Sequence, residues 1–293
     1  MTFRALVLGG GGMLGGAVVR HGRRLGSAVL GLDRTQADVT DPEALAAWVR
    51  RFQPEVVFNC AAYTRVDDCE TQEAAALAVN GDGAGFAAAA ARAAGAVLVH
   101  VSTDYVFDGS ARSPYPVDAP TAPVSAYGRS KLAGERQVLA YDRAAVVRTS
   151  WLFGPGGPNF VRTMAGFVAT GRRELRVVGD QVGCPTYTPF LARALWDLAA
   201  RLRGGTAANF GVYHYANREP ISWCGFTREI VRQLDPTVTV TEVTTAEFPR
   251  PAVRPAYSVL AVDRLEAYLG RRVETWSSGL AYYLDLYRQG DFR

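Results

Sequence analysis

The chain of 293 residues is poor in lysine, histidine and cysteine. Of its 32 basic residues only Lys131 is a lysine; every other one is arginine. The three histidines (His21, His100, His214) lie far apart, and Cys60, Cys69, Cys184 and Cys224 form no CxxC pair. No zinc signature can be assembled from them, and reduced cysteines in a cytoplasmic protein are expected. No run of about 20 strongly apolar residues exists to span a bilayer. The most apolar long stretch, 84–101, is mostly alanine and is broken by Arg92 and Gly95. The start, from Met1 through Phe3 and Arg4 into a short apolar strand, lacks the pattern of an export signal. The net charge of +4 is mild, without a long basic run or a basic–aromatic stripe. Neither a nucleic-acid nor a membrane partner is therefore expected.

What is present is apolar content, 48% of residues, and 30 glycines. This suits a large α/β unit, or a main domain with a smaller lobe, and excludes disorder. Short apolar runs alternate with helical patterns through residue 150. Strands are expected at Ala5–Leu8, Ala28–Leu32, Val56–Cys60, Ala96–Val101 and Ala144–Arg148. Helices are expected at Met13–Leu25, from a Thr40–Glu43 capping box to Phe52, at Gln72–Ala94 and at Ala126–Tyr141. Strands alternating with helices imply a doubly wound parallel sheet of Rossmann type, residues 1–150. Beyond Trp151 the rhythm loosens. Helices near Phe160–Ala169, Phe190–Leu202, Trp223–Leu234, Asp263–Leu269 and Gly279–Tyr287 suggest a smaller substrate-binding lobe, 151–293, with some segments returning to the sheet.

Gly9-Gly10-Gly11-Gly12-Met13-Leu14-Gly15 falls between the first strand and the first helix. A dinucleotide pyrophosphate needs a tight turn, a close backbone and free helix amides at that place. Four consecutive glycines satisfy both G-x-G-x-x-G and G-x-x-G-x-x-G, so spacing does not select a subclass. Asp33 ends the second strand, where a carboxylate accepts from ribose hydroxyls; its neighbour Arg34 suits a 2′-phosphate. NADH and NADPH both remain open.

Lys131 follows Tyr127 by four residues on one helix face. With 13 tyrosines in 293 residues, a given position has a tyrosine four before it about 4% of the time, so chance is a poor explanation for the lone lysine. A phenol titrates near ~10, and a neighbouring ammonium favours its ionised form. Ser102 and Thr103 end the fourth apolar strand, where ligands bind in open α/β sheets and a hydroxyl can steady a developing oxyanion.

The set resembles the extended short-chain dehydrogenase/reductases and, among them, the dTDP-4-dehydrorhamnose reductase family. The resemblance runs nearly end to end. Its most specific strings are Ser102-Thr103-Asp104-Tyr105-Val106-Phe107 and Asp180-Gln181-Val182-Gly183-Cys184-Pro185-Thr186; Tyr127-Gly128-Arg129-Ser130-Lys131 is shared more widely. Further matches are Asp38-Val39, Asn59 through Thr64, Val66-Asp67, Asn80, Arg148 through Trp151, Asn159-Phe160, Gly211 through His214 and Arg254-Pro255.

The resemblance implies hydride transfer from NADPH or NADH to C4 of a dTDP-4-keto-6-deoxysugar. In that reaction Tyr127 protonates the oxygen, Thr103 holds it, and Lys131 binds the nicotinamide ribose and lowers the Tyr127 pKa. It further implies cofactor contacts by Gly9, Gly12, Met13, Leu14, Gly15, Asp33, Arg34, Asp38, Val39, Ala61, Ala62, Tyr63, Asn80 and Ser102. Thr64, Val66, Asp104, Tyr105, Trp151 and Asn159 are implied to join Thr103 and Tyr127 around the sugar. Arg65 departs from the small residue of many relatives. Ala17 and Pro189 stand where some relatives carry magnesium-binding glutamates, so a monomer or weak homodimer without a bridging metal is expected. Two alternatives stay open: a related nucleotide-sugar enzyme, such as a dihydrostreptose-type synthase or another dTDP-4-ketosugar reductase, and a non-catalytic regulatory subunit of the methionine adenosyltransferase type. Retention of Tyr127, Lys131 and Thr103 argues against the second.

Overall fold

Strands buried on both faces need no alternation of apolar and polar residues, and the central strands here have none. In the computed structural model, which describes residues 2–290, they are β1 (Ala5–Leu8), β2 (Val29–Leu32), β3 (Val56–Asn59), β4 (Val97–Thr103) and β5 (Ala144–Thr149). Met1 and residues 291–293, the ends of the two expected lobes, lie outside the described residues. Helices α1 (Met13–Arg24), α2 (Pro42–Phe52), α3 (Val66–Cys69), α4 (Glu73–Leu77), α5 (Gly83–Ala93) and α6 (Ala126–Leu139) lie between the strands. The six-stranded sheet is parallel throughout, in the order β10 (Gly211–His214), β5, β4, β3, β1, β2. The chain passes from β1 outward to β2, then back across to β3. The order therefore reverses between β1 and β3, which opens a crevice at their carboxyl ends.

Two departures from the expected elements have local causes. Asp41, not Thr40, caps α2: its carboxylate accepts from the Glu43 and Ala44 amides, both at 3.0 Å. The Thr40 hydroxyl instead donates to Asp38 at 2.8 Å. The helix expected over Gln72–Ala94 is α4 and α5 joined through a π turn at Ala78–Asp82. The turn carries Asn80, and such insertions often mark functional places.

The rest of the chain comprises β6 (Leu152–Phe153), α7 (Phe160–Ala169), β7 (Glu174–Val178), β8 (Val182–Gly183), β9 (Thr186–Tyr187), α8 (Thr188–Arg203), β10 (Gly211–His214), β11 (Ile221–Ser222), α9 (Trp223–Leu234), β12 (Thr239–Val243), α10 (Asp263–Leu269) and α11 (Trp276–Arg288). β10 extends the main sheet beside β5. Helix α8 covers one sheet face with α1: Trp196 stacks on Phe3 at 4.5 Å, and its indole N–H donates to the Val18 carbonyl at 2.9 Å. The opposite face packs on α2, α5 and α6 through Leu45, Ala87 and Val138. A separate core, including Phe153, Met164, Leu175, Ile230 and Leu280, joins α7, α9 and α11 to the β7–β12 ribbon. Among the described residues no helix is long and apolar enough to cross a membrane.

Candidate active site

The glycine cluster forms the turn from β1 into α1. Gly9 has φ +74°, and a Cβ there would lie 2.8 Å from the Ala61 amide nitrogen; a Cβ on Gly15 would lie 2.1 Å from the Gly9 carbonyl oxygen. The turn is thus pressed against the β3 loop on one side and its own helix on the other. No side chain caps α1 and no acid occupies its first turn. Amides aimed outward from an uncapped helix end, with backbone close by, fit a pyrophosphate. Met13 faces the smaller lobe, where the Asn159 amide lies 3.9 Å from its sulfur.

Asp33 folds its carboxylate onto the Thr35 hydroxyl and amide, at 2.6 and 2.9 Å, and these bonds hold its pKa below the usual carboxylate range. Arg34 stands at the surface 3.6 Å from Asp38. Val39 is buried against the start of α5, where a Cβ on Gly83 would lie 3.0 Å from its Cγ2. Ala61, Ala62 and Tyr63 follow β3, clamped by Asn80. The Asn80 carbonyl accepts from the Tyr63 amide at 2.9 Å, and its NH2 donates to the Tyr63 carbonyl at 3.0 Å and the Ser130 hydroxyl at 2.9 Å. Asn80 is fully buried, so it positions the loop that faces the crevice.

Tyr127 sits in the first turn of α6. Ser125 caps that turn by accepting from the Gly128 amide at 3.2 Å, and Glu70 accepts from the Ala126 amide at 2.9 Å. A Cβ on Gly128 would lie 2.2 Å from the Tyr105 carbonyl oxygen, so α6 packs directly on the turn after β4. The rings of Tyr105 and Tyr127 meet edge-on at 5.5 Å. Burial raises the Tyr127 phenol pKa above its ordinary value; a hydrogen bond with Thr103 works the other way. Lys131 is 2% exposed, and its Nζ donates to the Val101 carbonyl at 2.7 Å. Burial brings its pKa down to about 8, against the opposing pull of Glu135. The ammonium is thus turned to the β4 backbone and is not among the groups that shift Tyr127.

Glu135 forms a buried bidentate pair with Arg148, the closest contact 2.8 Å. The Thr103 hydroxyl, at the end of β4, donates to Asp104 Oδ1 at 3.0 Å. Ser102 Oγ and Thr149 Oγ1 are buried near these strand ends without a protein partner.

Above this cluster a cavity of about 940 Å³ opens between Tyr105 and the smaller lobe. Phe160, Phe167 and Trp223 form apolar wall, while Arg172, Arg176 and Arg254 bring positive charge. Trp151 stacks on Trp223 at 3.5 Å and holds a left-handed backbone, φ 48°. Such strain in a residue other than glycine persists where the surroundings over-determine it, often at a ligand site. Arg254 grips Asp67 with two bonds of 2.9 and 3.0 Å, joining the lobes at the cavity edge.

Val66 begins α3 beside this ion pair; Thr64 is exposed. Arg65 donates to the Tyr63 hydroxyl at 2.9 Å and lies over its ring. Asn159 caps α7 and donates to the Gly154 carbonyl at 2.9 Å and to the Tyr283 hydroxyl at 3.1 Å, so it fastens the lobe beside Met13. Sequence reasoning named Arg254 only within the Arg254-Pro255 match and gave Arg172, Arg176 and Trp223 no site role; the signal for the two other arginines is the basic residues at 172–176. Among the described residues no group of three or more metal-ligating side chains gathers.

The family described as RmlD substrate binding domain matches residues 3–289. A dTDP-4-dehydrorhamnose reductase of Streptomyces griseus is 45% identical over 281 residues, 94% of this chain and 91% of that protein. A structure described as a dTDP-4-dehydrorhamnose reductase from Clostridium acetobutylicum superposes with a TM-score of 0.92 at 40% identity, over 97% of this chain and 99% of that one. A dTDP-4-dehydrorhamnose reductase from Bacillus anthracis, in complex with NADP, superposes at 0.91 with 33% identity and the same coverage.

Proposed function

The chain belongs to the dTDP-4-dehydrorhamnose reductase family, and from that membership we propose that it reduces the C4 keto group of a dTDP-6-deoxy-4-ketohexose with NADPH or NADH. The reaction converts dTDP-4-dehydro-L-rhamnose to dTDP-L-rhamnose in deoxysugar biosynthesis. One observation carries the reading. Tyr127 bonds with Thr103 at the end of β4, and its ring meets that of Tyr105, which lines a cavity of about 940 Å³ together with aromatic and arginine side chains.

The bound reduced nicotinamide supplies the hydride. Gly9, Gly12, Gly15 and the amides of Met13 and Leu14 would hold its pyrophosphate, and Asp33 or Arg34 its adenosine ribose. Asp38, Val39, Ala61, Ala62, Tyr63 and Ser102 would line it, and Lys131 would hold the nicotinamide ribose. Tyr127 donates its phenolic proton to the keto oxygen as charge develops there. Burial keeps that phenol protonated at neutral pH, so it acts as the acid. Thr103 steadies the same oxygen. Thr64, Val66, Asp104, Tyr105 and Trp151 enclose the sugar, and Asn159 fixes the lobe that closes over it. The cavity arginines suit the diphosphate. The enzyme works in the cytoplasm on a soluble nucleotide sugar, as a monomer or weak homodimer.

The test is to generate the dTDP-4-keto-6-deoxy sugar enzymatically, add either reduced coenzyme, and identify the product by NMR. dTDP-L-rhamnose supports the proposal. A branched furanose or another epimer reassigns the sugar, and no turnover overturns the reading.

A further inference from the structure

The carboxyl of Asp104 takes no part in proton donation from Tyr127, yet it is 2% exposed and bonded to the neighbouring hydroxyl. Thr103 Oγ1 donates to Asp104 Oδ1 at 3.0 Å and accepts from the Tyr105 amide at 3.2 Å. A threonine hydroxyl has one hydrogen and two acceptor lone pairs, and a carboxylate only accepts. While Asp104 is ionised, the Thr103 hydrogen is committed to it. Thr103 then has only a lone pair left, and no hydrogen to give to Tyr127 or to a substrate.

A protonated Asp104 reverses the bond. Its O–H donates to Thr103, whose two lone pairs are then filled by Asp104 and the Tyr105 amide. The Thr103 hydrogen has to point onward, to the Tyr127 phenol oxygen or to a substrate oxygen beside it.

The surroundings favour such a reversal. Asp104 Oδ2 is buried without a hydrogen bond of regular geometry, although the Ser258 hydroxyl lies near enough to temper it. The ionisable groups that face Asp104 are Tyr105 in its own turn, Tyr127 on α6, and Cys184 in the bend between β8 and β9. None is a cation. Arg254 and Asp67 act on the neighbouring Tyr105. Burial is the largest influence and moves the carboxyl up to about 6.

We propose that Asp104 is a positioning residue that sets the direction of the Thr103 hydrogen bond. As a neutral acid it makes Thr103 a donor to the substrate's keto oxygen; as a carboxylate it withdraws that donor. The inference rests on the proposed function for its substrate.

The experiment is the pH profile of kcat/KM for the wild type, Asp104→Asn and Thr103→Val. The loss of one oxyanion donor sets the scale, about a hundredfold; redirecting it in the wild type is expected to cost about tenfold as pH rises through 6. The side-chain amide introduced in D104N donates to Thr103 at every pH, so its profile is flat there, whatever the height of its plateau. T103V removes the route and is flat at a lower rate. A limb near pH 6 that survives in both variants, as one from a coenzyme phosphate would, overturns the proposal. A second measurement needs no turnover: 13C NMR of enzyme labelled at aspartate carboxyls, with the Asp104 signal assigned by its loss in D104N. Titration near 6 is expected, and a carboxyl already ionised at pH 5 overturns the inference. Absence of turnover in the wild type would refute the proposed function, and the NMR result keeps the two failures distinct.

Discussion

The lone lysine of the chain is expected to weaken the fold that holds it, and Lys131→Met measures by how much. Lys131 is 2% exposed, and its pKa lies at about 8, down from 10.5, chiefly through burial. At about 1.36 kcal/mol per pKa unit, holding the ammonium charged at pH 7 costs on the order of 3 kcal/mol. Methionine fills similar volume without charge but gives up the bond to the Val101 carbonyl at 2.7 Å, worth roughly 1–2 kcal/mol. Glu135 keeps its bidentate partner Arg148. The net gain is about 1–2 kcal/mol, or about 2–3 °C in Tm for a chain of this size. The folded lysine releases its proton more readily than the unfolded one. Between pH 8 and about 10.4 the unfolded state therefore binds more protons, and wild-type stability rises with pH. The advantage of K131M should be full below pH 8 and fade by about pH 10.4. Thermal unfolding of both proteins without ligands, followed by circular dichroism at pH 7 and 10, measures this directly. The same variant should lose at least a hundredfold in turnover. A K131M protein less stable than wild type at pH 7, or a stability gap unchanged at pH 10, would refute the reasoning.

Tyr127→Phe removes the general acid and should lower turnover by two or more orders of magnitude, about 3 kcal/mol in the barrier, while coenzyme affinity by fluorescence titration stays within about twofold. Gly15→Ala places a methyl 2.1 Å from the Gly9 carbonyl oxygen. It should destabilise the fold by about 1–3 kcal/mol and weaken coenzyme binding at least tenfold, as read by denaturant melts and fluorescence titration. Arg34→Ala should raise the KM for NADPH several-fold and leave that for NADH nearly unchanged, in parallel steady-state assays. Equal effects on both coenzymes would show that Arg34 does not meet a 2′-phosphate.

Much of the fold was legible because its signals are local. β1 begins and ends at the expected residues, as do α7, α9 and α10, since apolar runs and periodic patterns bounded by glycine or proline depend on near neighbours. The errors arose where a distant or competing partner decides. Thr40 reads as a helix cap until Asp38 takes its hydroxyl. The π turn at Ala78–Asp82 carries Asn80, which is bonded to Tyr63 and Ser130. Neither partner can be inferred from an alanine-rich helix.

The site divides along the same line. Tyr127 and Lys131 share one helix, so their spacing alone puts them on one face. Their environments come from elsewhere in the chain. Gly128 lets α6 press on the turn after β4, which brings Tyr127 to Thr103 and Asp104. The same packing buries Lys131 against the Val101 carbonyl. Spacing suggests an ammonium that lowers the phenol pKa; burial instead raises the phenol and lowers the lysine. Desolvation is a property of everything packed around a group, so residue order names the acid and its helper but not their charge states. The cavity arginines belong to the same class. Arg176 and Arg254 lie 78 residues apart in sequence and meet around one cavity only because the β7–β12 ribbon and the strand-free segment after it fold over Tyr105. A lobe built from such long-range contacts is where relatives on one sheet can differ in sugar, while the tyrosine, the hydroxyl and the glycine turn keep the chemistry in place.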